Sequence, residues 1–186
     1  MSRFVFHPTP VLGLTLVERN PIADARGFLA RLYCAEEFHA AGWNKPIAQI
    51  NHTLTRRQGA VRGLHFQRPP YAESKLVTCF KGKIFDVAVD MRHNSPTFLQ
   101  WHCEILSDEN DRSLLIPEGF AHGFQALTED CELIYLHTER FNTEAEGALN
   151  VADPKLAIPW PLPIAELSDR DRTHPFIGAN FAGIHA

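Results

Sequence analysis

The chain has 186 residues, of which 45% are hydrophobic and 22% charged, values that exclude a disordered or fibrous architecture. That length suits a single domain with a substantial core. A formal net charge of −4 lacks the basic footprint that phosphate neutralisation requires, so nucleic acid is not an expected partner. No apolar run reaches the length of a membrane span, and Met1-Ser2-Arg3-Phe4-Val5 lacks the apolar core of a secretion signal. The expected location is therefore the cytoplasm, away from membranes. Cys34, Cys79, Cys103 and Cys131 are far apart with no CxxC pair, and read as reduced, partly buried thiols of a reducing compartment.

In chain order, the best helix candidate is Ala-Glu-Glu-Phe-His-Ala-Ala at 35–41, stopped by Gly42. The middle of the chain alternates with period two, the signature of half-buried strands. Phe85, Val87 and Val89 share one face of a strand at 83–90, while Asp86, Ala88 and Asp90 share the other. Lys81-Gly82 separates this strand from the one at 75–80, which predicts a hairpin. Leu99, Trp101, Cys103 and Ile105 alternate on a further strand. After a turn at Glu129-Asp130, Cys131, Leu133, Tyr135 and His137 alternate on another. Prolines at Asp153-Pro154, Ile158-Pro159-Trp160-Pro161-Leu162-Pro163 and Thr173-His174-Pro175 forbid long elements in the last third. That segment, about 150–186, is expected to wrap a single domain as extended chain with brief helical turns. Short strands at near-regular spacing with few helices predict an all-β sandwich or barrel, for which a jelly roll is a natural solution.

Two clusters carry candidate chemistry. Arg62-Gly63-Leu64-His65-Phe66-Gln67 crowds polar groups onto a strand where a structural strand prefers β-branched residues. Arg62 has the opposite parity to His65 and Gln67, so both reach one cavity only if the strand bulges or bends at Gly63. Ile116-Pro117-Glu118-Gly119-Phe120-Ala121-His122 is a turn leading into a histidine, and its P-x-G-x-x-H spacing resembles the second motif of cupins. The matching first motif offers only His65 and Gln67, so the usual three-histidine and glutamate metal site cannot be assembled. Tyr135 reads on its own as a buried, hydrogen-bonded phenol, and Leu167-Ser168-Asp169-Arg170-Asp171 as a capped helical turn.

Together, in this order, these segments resemble the dTDP-4-dehydrorhamnose 3,5-epimerase family. Further matching pieces are Asp24-Ala25-Arg26-Gly27-Phe28, Gln49-Ile50-Asn51-His52-Thr53, Lys75-Leu76-Val77, Ser95-Pro96-Thr97-Phe98 and Asp153-Pro154, so that the likeness spans about residues 10–177. The resemblance implies a cupin-type jelly roll, or double-stranded β-helix. It also implies a homodimer that works without metal or other cofactor, each pocket being edged by the partner chain. A C4 ketone acidifies the C–H bonds at C3 and C5 of a nucleotide-linked 4-keto-6-deoxyhexose. A base removes one proton and an acid returns another to the opposite face. In that scheme His65 is the base and Asp171 holds its imidazole, while Lys75 faces the enolate oxygen and Tyr135 is the acid. Arg62, Asn51, Gln49 and His122 are implied to hold sugar and phosphates. Arg26 is implied to contact the nucleotide end near the dimer interface, and Glu146, Arg140 and Phe141 complete the substrate set.

The chain departs from the family pattern at Ile22, Ala25, Ile50, Arg140 and Val151. One ring, Phe141, stands where a pair of aromatics is usual, with the Arg140 guanidinium as a second stacking surface. The expected substrate is a dTDP-linked 4-keto sugar inverted at C3, C5 or both. The alternatives are a single-centre enzyme on a CDP- or GDP-linked sugar, a metal-dependent cupin enzyme using His65 and His122, and a non-catalytic sugar-nucleotide binding module.

Overall fold

The computed structural model describes residues 2–185. One sheet contains, in spatial order, β1 (Phe4–Pro8), β2 (Thr15–Arg19), β10 (Arg112–Ile116), β7 (Lys75–Lys81), β12 (Cys131–His137) and β5 (Gln49–Thr55). Facing it is a sheet of β13 (Glu146–Ala148), β6 (Val61–Gln67), β11 (Phe120–Ala126), β8 (Lys83–Asp90) and β9 (Trp101–Ser107). All their pairings are antiparallel. A small ribbon, β3 (Ile22–Asp24) and β4 (Gly27–Leu29), stands apart, and the helices α1 (Ala35–His39) and α2 (Asp169–Thr173) are one turn each. This is the antiparallel jelly roll expected for the chain, with Gly42 at φ 95 just past α1.

One local expectation is overturned. The strands on either side of Gly82 do not pair with each other, because β7 lies between β10 and β12 while β8 lies between β11 and β9. Gly82, at φ 79, is the corner where the chain passes between sheets, and a Cβ there would lie 2.5 Å from the Thr128 hydroxyl and 3.0 Å from the Cys131 sulfur. Period two identifies a strand but carries no information on its sheet, so a Lys-Gly corner and a Lys-Gly hairpin look alike. Leu99 also falls outside β9, in a turn at φ 59.

Alternation explains the layers. From β8, Ile84 and Ala88 point between the sheets and meet Val77, Leu114, Phe124, Cys131 and Leu133, which closes one end of the barrel. The opposite face, Phe85, Val87 and Val89, is covered from outside by Leu149, Val151, Leu156, Ile158, Ile177 and Ile184. That cover is pinned where its backbone would otherwise lack partners. Trp101 Nε1 donates to the Leu156 carbonyl at 2.7 Å, Gln125 exchanges two hydrogen bonds with Leu162, and Val61 N–H donates to the Glu166 carbonyl at 2.9 Å. On the other sheet, α1 inserts Phe38 among Phe4, Trp43, Leu76 and Leu136. With one end packed, and the outer faces covered by the C-terminal segment and in part by α1, the inner side chains toward the far end of the barrel are left to line a cavity.

Candidate functional site

A cavity of about 850 Å³ opens between the sheets. Gln49, Asn51 and Thr53 from β5, Lys75 from β7, and Tyr135 and His137 from β12 line one wall. Arg62, His65 and Gln67 from β6 and His122 from β11 line the other. Register brings them level: Tyr135 pairs with Asn51 and Val77, His137 with Gln49 and Lys75, and His65 with His122.

The parity conflict in β6 is resolved at Gly63. The register shifts between His122 and Phe124, so that Gly63 and Leu64 together oppose Gly123. Before the shift Val61 packs outward, and after it Leu64 and Phe66 do, which leaves Arg62, His65 and Gln67 on the cavity side. Gly63 sits at φ 128, and a Cβ there would meet Gly123 Cα at 2.5 Å. Glycine is thus required by both conformation and space.

His65 Nε2 lies 2.7 Å from Asp171 Oδ1. Asp171 arrives on α2, where the Ser168 side chain accepts from its backbone N–H at 3.1 Å, the expected cap. Its carboxylate is buried, unlike the solvated group that a surface turn would present. Burial pushes Asp171 up, but the His65 hydrogen bond and charge, helped by Ser168 and the Gly63 N–H, win and hold it below the usual carboxylate range. A carboxylate only accepts, so this short contact places the His65 proton on Nε2 and leaves Nδ1 as the ring nitrogen able to accept one.

Tyr135 is set deep in the same cavity, edge-on to His122 at 5.9 Å between ring centroids. Burial, followed by the nearby Asp86 carboxylate, pushes its phenol strongly up, against smaller opposing effects of Thr53 and Arg62. His122 Nε2 is held by the fully buried Asp86 at 2.7 Å. Lys75 Nζ bonds Glu73 Oε1 at 3.1 Å and donates to the His65 carbonyl at 3.4 Å.

The other residues expected at the site divide by position. Phe141 and Glu146 line the mouth, the Phe141 N–H donating to Gln49 Oε1 at 2.9 Å and Glu146 bonding Arg170 at 2.7 Å. Arg140 contributes its carbonyl, which accepts from Gln67 at 3.2 Å, but its guanidinium is not among the lining groups. Arg26 is outside the cavity on the β3–β4 ribbon, with its side chain 90% exposed and paired to Asp24. Gln67, the position where a cupin would place a ligand, instead clamps the mouth loop through Tyr71, Arg140 and Asn142. Among the described residues no cluster of three metal-ligating side chains occurs.

Sequence reasoning missed Glu73, His137 and Arg170. The signal for His137 was on the page, since it shares the parity of Tyr135 on β12. Glu73 lies in an irregular segment where no periodicity assigns a face, and Arg170 on a single helical turn too short to show one.

A jelly roll whose cavity holds a histidine on one sheet, a carboxylate brought against it by a helical turn, and a phenol and a buried ammonium on the other sheet defines a cupin-like carbohydrate epimerase. The family model described as dTDP-4-dehydrorhamnose 3,5-epimerase matches residues 8–178, and the chain belongs to that family. A relative of that name from Pseudomonas aeruginosa is 45% identical over 159 residues, covering 84% of this chain and 87% of its own. The crystal structure of the Bacillus anthracis enzyme, with TDP and pyrophosphate bound, superposes with a TM-score of 0.90 at 37% identity, covering 94% of this chain and 99% of that one. The Legionella pneumophila enzyme in complex with dTDP-4-keto-L-rhamnose also gives 0.90 at 34% identity, covering 98% and 99%.

Proposed function

We propose that the chain epimerises a dTDP-linked 4-keto-6-deoxyglucose at C3 and C5, with His65 as base and Tyr135 as acid. The observation that carries this reading is that His65, with Asp171 of α2 against its ring, and the Tyr135 phenol line opposite walls of one cavity. His65 Nδ1 takes the proton alpha to the ketone, and the resulting imidazolium is stabilised by Asp171. Charge builds on the C4 oxygen, where Lys75 supplies a positive partner in a site shielded from water. The phenol then delivers its proton to carbon from the opposite ring face, and exchange with solvent takes the proton from the imidazolium and returns one to the phenolate before the second centre reacts. Net isomerisation moves no hydride, so the scheme calls for neither metal nor redox cofactor.

Arg62, Gln49, Asn51, His122 and Glu146 are assigned to the sugar and diphosphate, and Phe141 to the base. Arg26, with Phe28 73% and Leu29 71% exposed on the same ribbon, fits a homodimer in which this ribbon borders the partner's pocket. A cytoplasmic setting fits the free cysteines, and no helix among the described residues is long and apolar enough to cross a membrane.

The test is incubation in heavy water with dTDP-4-keto-6-deoxyglucose, reading deuterium at C3 and C5 by mass and NMR. Incorporation at both centres is expected, unchanged after exhaustive chelation. No incorporation across dTDP, CDP and GDP sugars refutes the reading, and incorporation at one centre limits it to a single-centre enzyme.

A further inference from the structure

The wall that carries Lys75 contains a hydrogen-bond chain whose donors and acceptors all agree in direction. The Phe141 N–H donates to Gln49 Oε1 at 2.9 Å, and Gln49 Nε2 donates to Asn51 Oδ1 at 3.0 Å. Asn51 Nδ2 then faces His137 Nε2 at 3.4 Å. An amide nitrogen is only a donor, so His137 Nε2 accepts and the imidazole proton sits on Nδ1. His137 Nδ1 lies 2.8 Å from Glu73 Oε2, and Glu73 Oε1 receives the Lys75 ammonium at 3.1 Å. The chain thus runs from the pocket mouth to the lysine, and Glu73 is the junction.

The three ionisable members are closely packed, with side chains 9% exposed at Lys75, 9% at Glu73 and 10% at His137. Burial pushes Glu73 up, but the His137 hydrogen bond and the Lys75 charge outweigh it and keep the carboxyl below its ordinary range. An ammonium so enclosed needs a charged partner, because its attraction to the carboxylate replaces lost hydration. The second carboxylate oxygen is occupied by His137, so the carboxylate cannot swing toward the substrate.

We infer that Glu73 and His137 are positioning residues that aim the Lys75 ammonium at the developing enolate oxygen, an inference that rests on the reading of Lys75 given above. Neither group is asked to exchange a proton with substrate. Glu73 fixes the ammonium and His137 fixes Glu73. Because the ammonium matters most when charge has built up on oxygen, loosening it lowers kcat with little change in KM.

The experiment compares Lys75→Met, Glu73→Gln, the double variant, His137→Leu and His137→Asn, using dTDP-4-keto-6-deoxyglucose and solvent deuterium exchange. Lys75→Met should lose about 10²-fold or more in kcat, as for removal of an oxyanion donor. Glu73→Gln, nearly isosteric, should lose roughly 30-fold in kcat with KM within threefold, the scale of an ångström-sized misplacement. In the Lys75→Met background Glu73→Gln should cost less than about threefold, since its effect passes through the missing ammonium. His137→Asn, whose amide nitrogen takes the place of Nδ1, should keep most of the rate that His137→Leu loses. Full additivity of the two substitutions, or a loss carried by KM alone, overturns the inference. So does wild-type kcat in Glu73→Gln when Lys75→Met is impaired. Wild-type exchange by Lys75→Met refutes instead the role of the lysine on which the inference rests. If Glu73→Gln fails to fold, equal rates for His137→Asn and His137→Leu overturn it.

Discussion

Replacing Asp171 by Asn keeps the size and the fork of the side chain while removing its charge. The carboxylate accepts from His65 Nε2 at 2.7 Å and also takes the Gly63 N–H. An amide oxygen accepts but its NH₂ only donates, so any N–H bonded to the oxygen that becomes nitrogen must face an N–H. If the His65 proton is the one displaced, it moves to Nδ1 and the base loses its lone pair. If Gly63 is displaced, the β6 bulge loses its anchor. The charge loss adds a second effect. For opposite charges about 4 Å apart the attraction is worth about 4 kcal/mol at an effective dielectric of 20, which at about 1.4 kcal/mol per decade is roughly a thousandfold. The imidazolium is only partly formed in the transition state, so a loss of about 10²-fold to 10³-fold in kcat is expected. Because one base serves both positions, exchange at C3 and C5 should fall by similar factors. Initial rates of deuterium incorporation measure this, with thermal melting as the control for folding. A loss under fivefold in a folded variant refutes the assignment of Asp171 as the partner that tunes the base.

Two further outcomes concern the frame around the site. Gly63→Ala places a Cβ 2.5 Å from Gly123 Cα at a φ of 128, and the sum of backbone and overlap costs is about 2–6 kcal/mol; urea titration should show that loss, and a change under 0.5 kcal/mol refutes the steric reading. Asp90 receives Arg92, Ser95 and Thr97; burial raises its pKa, but these bonds outweigh it and lower it overall. A depressed carboxylate adds stability above its unfolded pKa of about 3.9 that is lost as pH falls through its folded value. Asp90→Asn should therefore cost about 2 kcal/mol at pH 7 and show a smaller further loss between pH 5 and 2 than the unsubstituted chain, which denaturation at several pH values measures; parallel curves refute it.

How much of this was legible in the residues depends on what each signal encodes. Alternation located the strand cores and placed Tyr135 and His137 on one face, because side-chain direction in a strand is a local property. The need for a bulge at Gly63 was also local, a parity mismatch between Arg62 and His65. Sheet membership was not legible, since whether Gly82 makes a hairpin or a corner depends on β10 and β12, far along the chain. The Glu73–Lys75 contact escaped for a related reason. Glu73 sits in an irregular segment whose direction is set by the hydrogen bonds between Ser74 and Thr138, not by its neighbours in sequence. Arg26 illustrates the limit from the other side, as a motif residue that one chain places on an exposed ribbon away from its own pocket.

The dyad joins residues 106 positions apart, and its acidic member rides on the strap that lies over the back of the five-stranded sheet. A chain that has closed its barrel but not yet laid down this strap has a formed cavity and an imidazole without its anion. Turnover therefore depends on the strap being seated as well as on the barrel, because the carboxylate that the base needs is carried by the strap.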